Sequence, residues 1–416
     1  MSLYFKKIKV FAVFVALTIS FQSCDSFLDI VPANVATIDN AFTLRNEAEK
    51  YLFTCYSYIP QNGDINYNIG MLAGDEIWKN NVVLPNMPST QIANGNQAVG
   101  TVFQNAWDGN RDGAGPGNNF DIYDGIRHCN IFIEAVSNTD NVRDLDASER
   151  ERWIAEAQFL KAYYHYYLLR MYGPIPIIDK NIPIEASTEE INVFREPFDD
   201  CVTYISNLLD TSAEKLPESI QDVTNELGRI TKPIALGIKA KLLTMAASPL
   251  FNGNPDYAGF IDSKGRQLIS TTSEPEKWNK AADAALAAIQ SAEAIGSALY
   301  YFPQNQFNLS DTTLTKMSIR QAVSERWNPE LIWSNPNSRT VALQYYCMVP
   351  LSSEYTHTLA QKILSPPLKI AKMYYTKNGV PMNEDRTLNF GNDTDLRVGD
   401  ADHRYNILEG YRTARI

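Results

Sequence analysis

Apolar positions along the chain recur mostly at steps of three and four, and the clearest run covers residues 148–176. There Trp153, Ala157, Leu160, Tyr164, Tyr167 and Met171 share one helical face, while Phe159, Tyr163 and Tyr166 lie on another. A helix of about 25 residues is roughly 37 Å long, and one that is apolar on two faces needs helical neighbours on both sides. Ser148 and Glu151 have the spacing of a capping box that would start this helix, and Gly173 with Pro174 would stop it. The stretch reads as the central helix of a stacked helical array.

The same periodicity predicts helices within residues 39–59 and over residues 120–136, 193–209, 231–247 and 278–294. Pro197 is expected in the first turn of one and Pro233 in that of another. Ala235, Gly237, Ala240 and Ala246 would let the next helix approach closely. Trp278, Ala282, Ala285 and Ile289 form a stripe, which with Trp153 predicts two core tryptophans. Residues 60–119 and 248–260 are turn-rich insertions, the first long enough to hold short elements or function. Residues 300–352 read as strand-like or loop segments, LIWSN and ALQYYCMVP among them, and residues 366–375 as a further helix. Helical hairpins with small residues at the crossings suggest tetratricopeptide-like stacking, without a kept 34-residue period. The expected fold is all-α dominated: a tetratricopeptide-like helical-repeat scaffold with long irregular insertions containing a few short strands.

Composition adds two constraints. At 416 residues and 44% hydrophobic content, the chain can bury a substantial core. Its net charge of −11 argues against an electrostatic grip on nucleic acid. Residues 1–23 read as an export signal: Lys6, Lys7 and Lys9 precede an apolar run at residues 10–20 that is too short to span a bilayer. Cys24 follows a small residue at the end of that run, where a bacterial lipoprotein would be cut and acylated.

The four histidines, His128, His165, His357 and His403, offer no metal pair at helical spacing, and neither a nucleophile elbow nor a P-loop is present. His165 reads as structural. Cys55, Cys129 and Cys201 fall on apolar helix faces and read as buried free thiols; with Cys347, disulfides are allowed but not implied. The run from Asp108 to Gly113 matches the first half of a calcium loop, but its twelfth position is Asn119 rather than Glu, so an Asp/Gly turn competes with Ca2+. No cofactor is required. Carboxylate pairs drawn from Asp75, Glu76, Asp121 and Asp124 would be needed for a glycoside hydrolase, and their separation is not legible in sequence.

Several stretches together resemble the SusD/RagB family of surface lipoproteins from Bacteroidetes. They are the segment from Ser23 to Asp29, Gly74-Asp75-Glu76, Cys129-Asn130-Ile131-Phe132, AEAQFLKAYYHYYLLRMYGPIPII from Ala155, GRITKPIALGIKAKLLTMAASPLF from Gly228, and KMYYTKNGVPM from Lys372. The resemblance implies a lipid anchor at the outer face of the outer membrane and binding of a glycan or other nutrient. It also implies a partner, a SusC-like TonB-dependent transporter over which the protein sits as a lid, and no enzymatic activity. Members continue well past the stretch resembling residues 402–412, so residues 24–416 are expected to be a domain truncated at its C-terminus. Sugars stack their C–H faces on aromatic rings and meet short polar groups through their hydroxyls. On the insertions, that combination selects Asp75, Trp78, Asn81, Trp107, Tyr300 and Trp327 as candidate ligand residues; Trp333, inside an apolar triplet, reads as packing. The alternatives are a surface glycoside hydrolase and a transporter lid with no free ligand.

Overall fold

A computed structural model describes residues 38–63, 68–74, 76–79, 87–107, 121–303, 308–335, 338, 340–347, 364–367, 369–370, 373–375, 378–381 and 384. The export signal, Cys24, Asp75, Asn81, the calcium-like loop and residues 402–416 lie outside these. In chain order the α-helices are α1 (Arg45–Ser57), α2 (Ile69–Leu72), α3 (Pro88–Ala93), α4 (Ile122–Ser137), α5 (Ala147–Tyr172), α6 (Thr188–Ile191), α7 (Phe198–Lys215), α8 (Lys232–Ala247), α9 (Glu276–Ala294), α10 (Asp311–Ser324) and α11 (Thr340–Cys347). Short 3-10 turns cover Ile38–Phe42 and Pro255–Tyr257. Strands β1 (Trp78–Lys79) and β2 (Leu364–Ser365) pair antiparallel, Trp78 opposite Ser365.

Consecutive long helices pack on one another: α4 on α5, α5 on α7, α7 on α8 and α8 on α9, with α1 laid across α4 and α5. Residues 159–169 of α5 are all buried, so this helix is enclosed on every side, as its two apolar faces require. Close approach of α1, α4 and α5 depends on Gly125. A Cβ there would lie 2.9 Å from Tyr58 Cβ and 3.2 Å from Tyr164 Cε2. The Tyr164 hydroxyl donates to the Cys55 carbonyl from inside the same junction.

Three polar side chains interrupt the buried face of α5, and each is provided for. Glu156, fully buried, accepts from Arg152 Nε at 2.9 Å, Arg229 Nε at 3.1 Å and the Tyr56 hydroxyl at 2.7 Å. Burial pushes its carboxyl up, against the pull of Arg229, Tyr56 and Arg152. Burial works most strongly to lower the Arg229 guanidinium, but the Glu156 charge together with Tyr56, the hydrogen bond to Glu156 and Glu226 holds it above its ordinary value. Lys161 donates to the Asp179 carbonyl at 2.5 Å and to its carboxylate at 3.1 Å. His165 sits one turn further on, its Nδ1 2.8 Å from the Lys161 carbonyl and its Nε2 accepting from Ile178 N at 3.2 Å. These two bonds assign the neutral, Nδ1-protonated tautomer.

Several expectations need correction. The capping box at Ser148 and Glu151 is not formed: Asp146 is the N-cap, accepting from Ser148 N at 2.8 Å, and Glu151 pairs instead with Lys215. Pro197 caps α7 rather than standing within its first turn, because its own backbone, at φ −50° and ψ 145°, is not helical. Trp278 is 49% exposed, since α9 presents Ala281, Ala288 and Ala292 to α8 and turns the tryptophan stripe outward. Within the segment ALQYYCMVP, expected to be strand or loop, residues 342–347 form most of α11, and the remaining three lie outside the described residues. Another part of the same region forms α10. Of the helix expected over residues 366–375, only a single helical turn is present at Lys369 and Ile370 among the described residues. By contrast Trp153 is wholly buried, and Cys55, Cys129 and Cys201 are buried free thiols as expected.

Burial depresses the His165 pKa from the usual 6.5 to about 4; the bond to the Lys161 carbonyl opposes this and the Lys161 charge adds to it. Below about pH 6.5 the unfolded chain binds a proton that the folded chain refuses, so this contribution is complete above 6.5 and is lost as pH falls toward 4. Urea unfolding from about pH 7 down to about pH 4.5 should therefore show a loss of about 2 to 3 kcal/mol that flattens in His165→Gln. An equal pH slope in the variant would assign the acid sensitivity elsewhere.

Candidate ligand-binding surface

The insertions converge on one side of α5. Trp333 stands edge-on to Phe159 and Tyr163, with ring centroids 5.6 and 5.0 Å apart, and anchors the chain after α10 to the central helix. It packs, as its sequence context suggested. Beyond it, Asn335 Nδ2 donates to the Pro60 carbonyl at 3.4 Å. Nearby, Gly63 lies so close to Ser338 and Thr340 that a Cβ would sit 2.6 Å from each. The β1–β2 pairing and a small cluster of Leu72, Met87 and Leu364 complete this junction. Insertions far apart in sequence thus form one unit, and it carries the backbone of Trp78.

Tyr300 and Trp327 are brought to the same end of α10, where the chain at 298–300 lies against the turn at 325–330. Ala298 N donates to the Pro329 carbonyl at 3.1 Å, Tyr300 N to Glu330 Oε2 at 3.1 Å, and the Tyr300 hydroxyl to the Glu325 carboxylate. The Tyr300 ring is buried by these contacts, and its phenol is held up at about 12 by the bond to Glu325. The exposed ring of the pair is Tyr301, at 76%. Neighbouring side chains on an extended segment point to opposite sides, which is the signal in the sequence that could have nominated Tyr301.

Trp327 takes a left-handed backbone, φ 55°, which non-glycine residues seldom adopt. The residue after it fixes that geometry. Asn328 is buried and donates to the carbonyls of Ala322 at 3.0 Å and Glu325 at 2.9 Å, closing the turn after α10. Its Oδ1 accepts from Glu330 N at 3.0 Å. Trp327 is 43% exposed, so this turn leaves part of the side chain open to solvent.

Trp107 stands in different surroundings. It is half-buried beside the core, edge-on to Tyr123 and Tyr172 at 5.1 and 5.6 Å, with the Arg195 guanidinium 5.5 Å from its ring centre. The adjacent Ala106 N donates to the Tyr172 hydroxyl at 2.8 Å, and the Tyr123 hydroxyl to the Pro176 carbonyl at 3.0 Å. This ring ties an insertion to the start of α4 and the end of α5, with a cation over it.

Of the acids considered for catalysis, Asp121 and Asp124 are placed here, and Asp75 lies outside the described residues. Asp121 caps α4, accepting from Asp124 N at 3.0 Å, and Asp124 accepts from the Tyr58 hydroxyl at 2.6 Å with His128 Nε2 3.7 Å away. Tyr51 meets the other ring nitrogen of His128 at 2.8 Å. Among the described residues no group of three or more His, Cys, Asp or Glu side chains is arranged to hold a metal ion.

Residues 64–243 match the family model SusD-like_3, described as starch-binding associating with outer membrane. Over that stretch the chain is similar to SusD-like proteins. A curated SusD-like protein of Bacteroides ovatus (strain ATCC 8483) is 29% identical over 174 residues, 41% of this chain and 28% of that protein. The solved structure of BT4246 superposes with a TM-score of 0.67 at 29% identity, over 83% of this chain and 59% of that one. A SusD-like protein from Bacteroides fragilis NCTC 9343 shares the fold, with a TM-score of 0.51 at 16% identity over 83% of this chain and 55% of the other. The chain therefore spans little more than half the length of these two solved structures.

The four tryptophan environments make a direct test by urea unfolding. Trp153→Ala should lose on the order of 3 to 5 kcal/mol, as for a large ring removed from a core. Trp107→Ala should lose about 1 to 3 kcal/mol, while Trp327→Ala and Trp278→Ala stay within about 0.5 kcal/mol of the parent. A Trp327→Ala variant as unstable as Trp153→Ala would make that ring a packing element.

Proposed function

We propose that this chain binds an oligosaccharide at the cell surface through the insertion face that carries Trp327, and passes it to a TonB-dependent outer-membrane transporter. The observation that carries the reading is the partly exposed Trp327 side chain on a backbone held in the left-handed region by buried Asn328. Strain of this kind costs of order 1 to 3 kcal/mol and is retained where the surroundings overdetermine it, commonly at ligand sites. A flat exposed indole is what the C–H face of a sugar stacks on, and Arg326 beside it can donate to hydroxyls. The description attached to the matched family, starch-binding and outer-membrane associated, supports the same class of ligand and the same location. Trp78, Asp75, Asn81, Trp107 and Tyr300 remain candidate contributors, Trp107 and Tyr300 chiefly by shaping the surface.

The hydrolase alternative has less behind it. Asp121 and Asp124 are already engaged as a helix cap and as the acceptor of Tyr58, one helical turn apart. Anchoring would come from acylated Cys24; no described helix is long and apolar enough to cross a membrane.

Calorimetric titration of the full chain with neutral and acidic oligosaccharides should give saturable binding to at least one, weakened about 10- to 100-fold in Trp327→Ala. No heat from any ligand would favour a lid that contacts only its transporter. Reducing-end release that Asp75→Ala abolishes would establish an enzyme. Localisation is checked separately: Cys24→Ser should move the protein from the membrane to the soluble fraction, because acyl chains supply the anchoring, and unchanged fractionation would refute lipidation at Cys24.

A further inference from the structure

Arg195 stands on the chain between α6 and α7, exposed, with its guanidinium 5.5 Å from the centre of the Trp107 ring. Tyr123 and Tyr172 meet that ring edge-on at 5.1 and 5.6 Å, so the indole is braced by α4 and α5. The backbone under Arg195 is braced as well. Its carbonyl accepts from Arg266 Nη2 at 2.9 Å, and the next residue, Glu196, donates its N–H to the Ile175 carbonyl at 2.9 Å. The two acids at this corner are already engaged with a different cation: Arg266 holds the Glu196 carboxylate at 2.5 Å and that of Asp262 at 2.8 Å. The remaining cation, Lys264, lies over the Phe194 ring at 4.0 Å. Among the described residues, Arg195 therefore has an aromatic ring against it and no carboxylate on its N–H groups.

A guanidinium held against a braced indole has lost part of its side-chain freedom before any ligand arrives, while its N–H edge can still donate. That edge matches two oxygens of a carboxylate or a sulfate, which a planar fork meets with two parallel hydrogen bonds. We propose that Arg195, positioned by Trp107, is a recognition point for an acidic sugar, so that the oligosaccharide this chain binds carries a carboxylate or sulfate group. The inference rests on the reading of the chain as an oligosaccharide binder and adds the charge of its ligand. A chain of net charge −11 gives such a ligand no general attraction, so selection for it has to come from a local contact of this kind. Trp107 then serves by orienting the cation, which accords with a ring that is half-buried rather than presented to solvent.

The test is a titration of the full chain with neutral, uronate-bearing and sulfated oligosaccharides, each acidic one paired with its carboxyl-reduced or desulfated form. At least one acidic member should bind about 10-fold or more tightly than its neutralised form, and added salt should narrow the gap. Which treatment removes the gap tells a carboxylate from a sulfate. Arg195→Gln should abolish the preference, and Arg195→Lys, which keeps the charge but not the fork, should retain only part of it. Equal binding of acidic and neutralised forms, or a preference that survives Arg195→Gln, overturns the inference and leaves the oligosaccharide reading standing. So does an Arg195→Gln variant that weakens both forms alike, since a merely structural residue would move both. No binding by any member overturns the inference and that reading together.

Discussion

A carboxylate with no access to water governs how this chain can fold. Glu156 lies on the enclosed central helix, and a lone buried charge would cost several kcal/mol. It is tolerated because Arg152, Arg229 and Tyr56 all donate to it. Those donors come from its own helix, from the segment leading into α8, and from α1. Arg229 reaches on to Glu226 and Glu49, and its guanidinium and that of Arg45 lie over the Trp153 ring. One charge thus fixes three elements in register, and breaking it by removing Arg229 alone would leave the carboxylate buried without its main compensating charge.

The same logic repeats along the helix. Lys161 and His165 reach the segment that leaves α5 and turns toward α7, and Tyr204 of α7 closes the set through Asp179. Polar groups on a helix buried all round thus act as register marks: each has one partner position, and sliding a neighbour by a turn would leave it unpaired. Apolar packing supplies the driving force, and these clusters select the arrangement. The insertions are then docked by aromatic rings, Trp333 and Trp107 among them, onto a scaffold that is already rigid.

What sequence reading recovered follows from which forces are local. Helical periodicity reported α4, α5, α7 and α8 because their burial is repeated every turn, and it placed Trp153 and the buried cysteines correctly. It failed at Trp278, where two stripes on α9 compete and the alanine stripe wins because α8 offers small residues to close on. The start of α5 was misread because both Asp146 and Ser148 can cap, and only the path of the preceding chain decides between them. The two tyrosines in ALQYYC favour a strand by propensity, which tertiary context overrides in α11. At the candidate surface, Trp327 was legible as an aromatic among polar neighbours, but its exposure depends on Asn328 closing a turn. The burial of Tyr300 and the half-burial of Trp107 depend on Glu325, Tyr172 and Arg195, partners remote in sequence that no local pattern reveals.

The central claim is a division of labour: the stacked helices are committed to stability, and ligand is met by the insertions. Amide hydrogen exchange of the full chain, with and without an oligosaccharide that binds it, reads that division directly. The account predicts added protection confined to residues 76–107 and 298–335, with α5, α7 and α8 unchanged. Added protection centred on α5 and its packed neighbours, with the insertions unaffected, would contradict it.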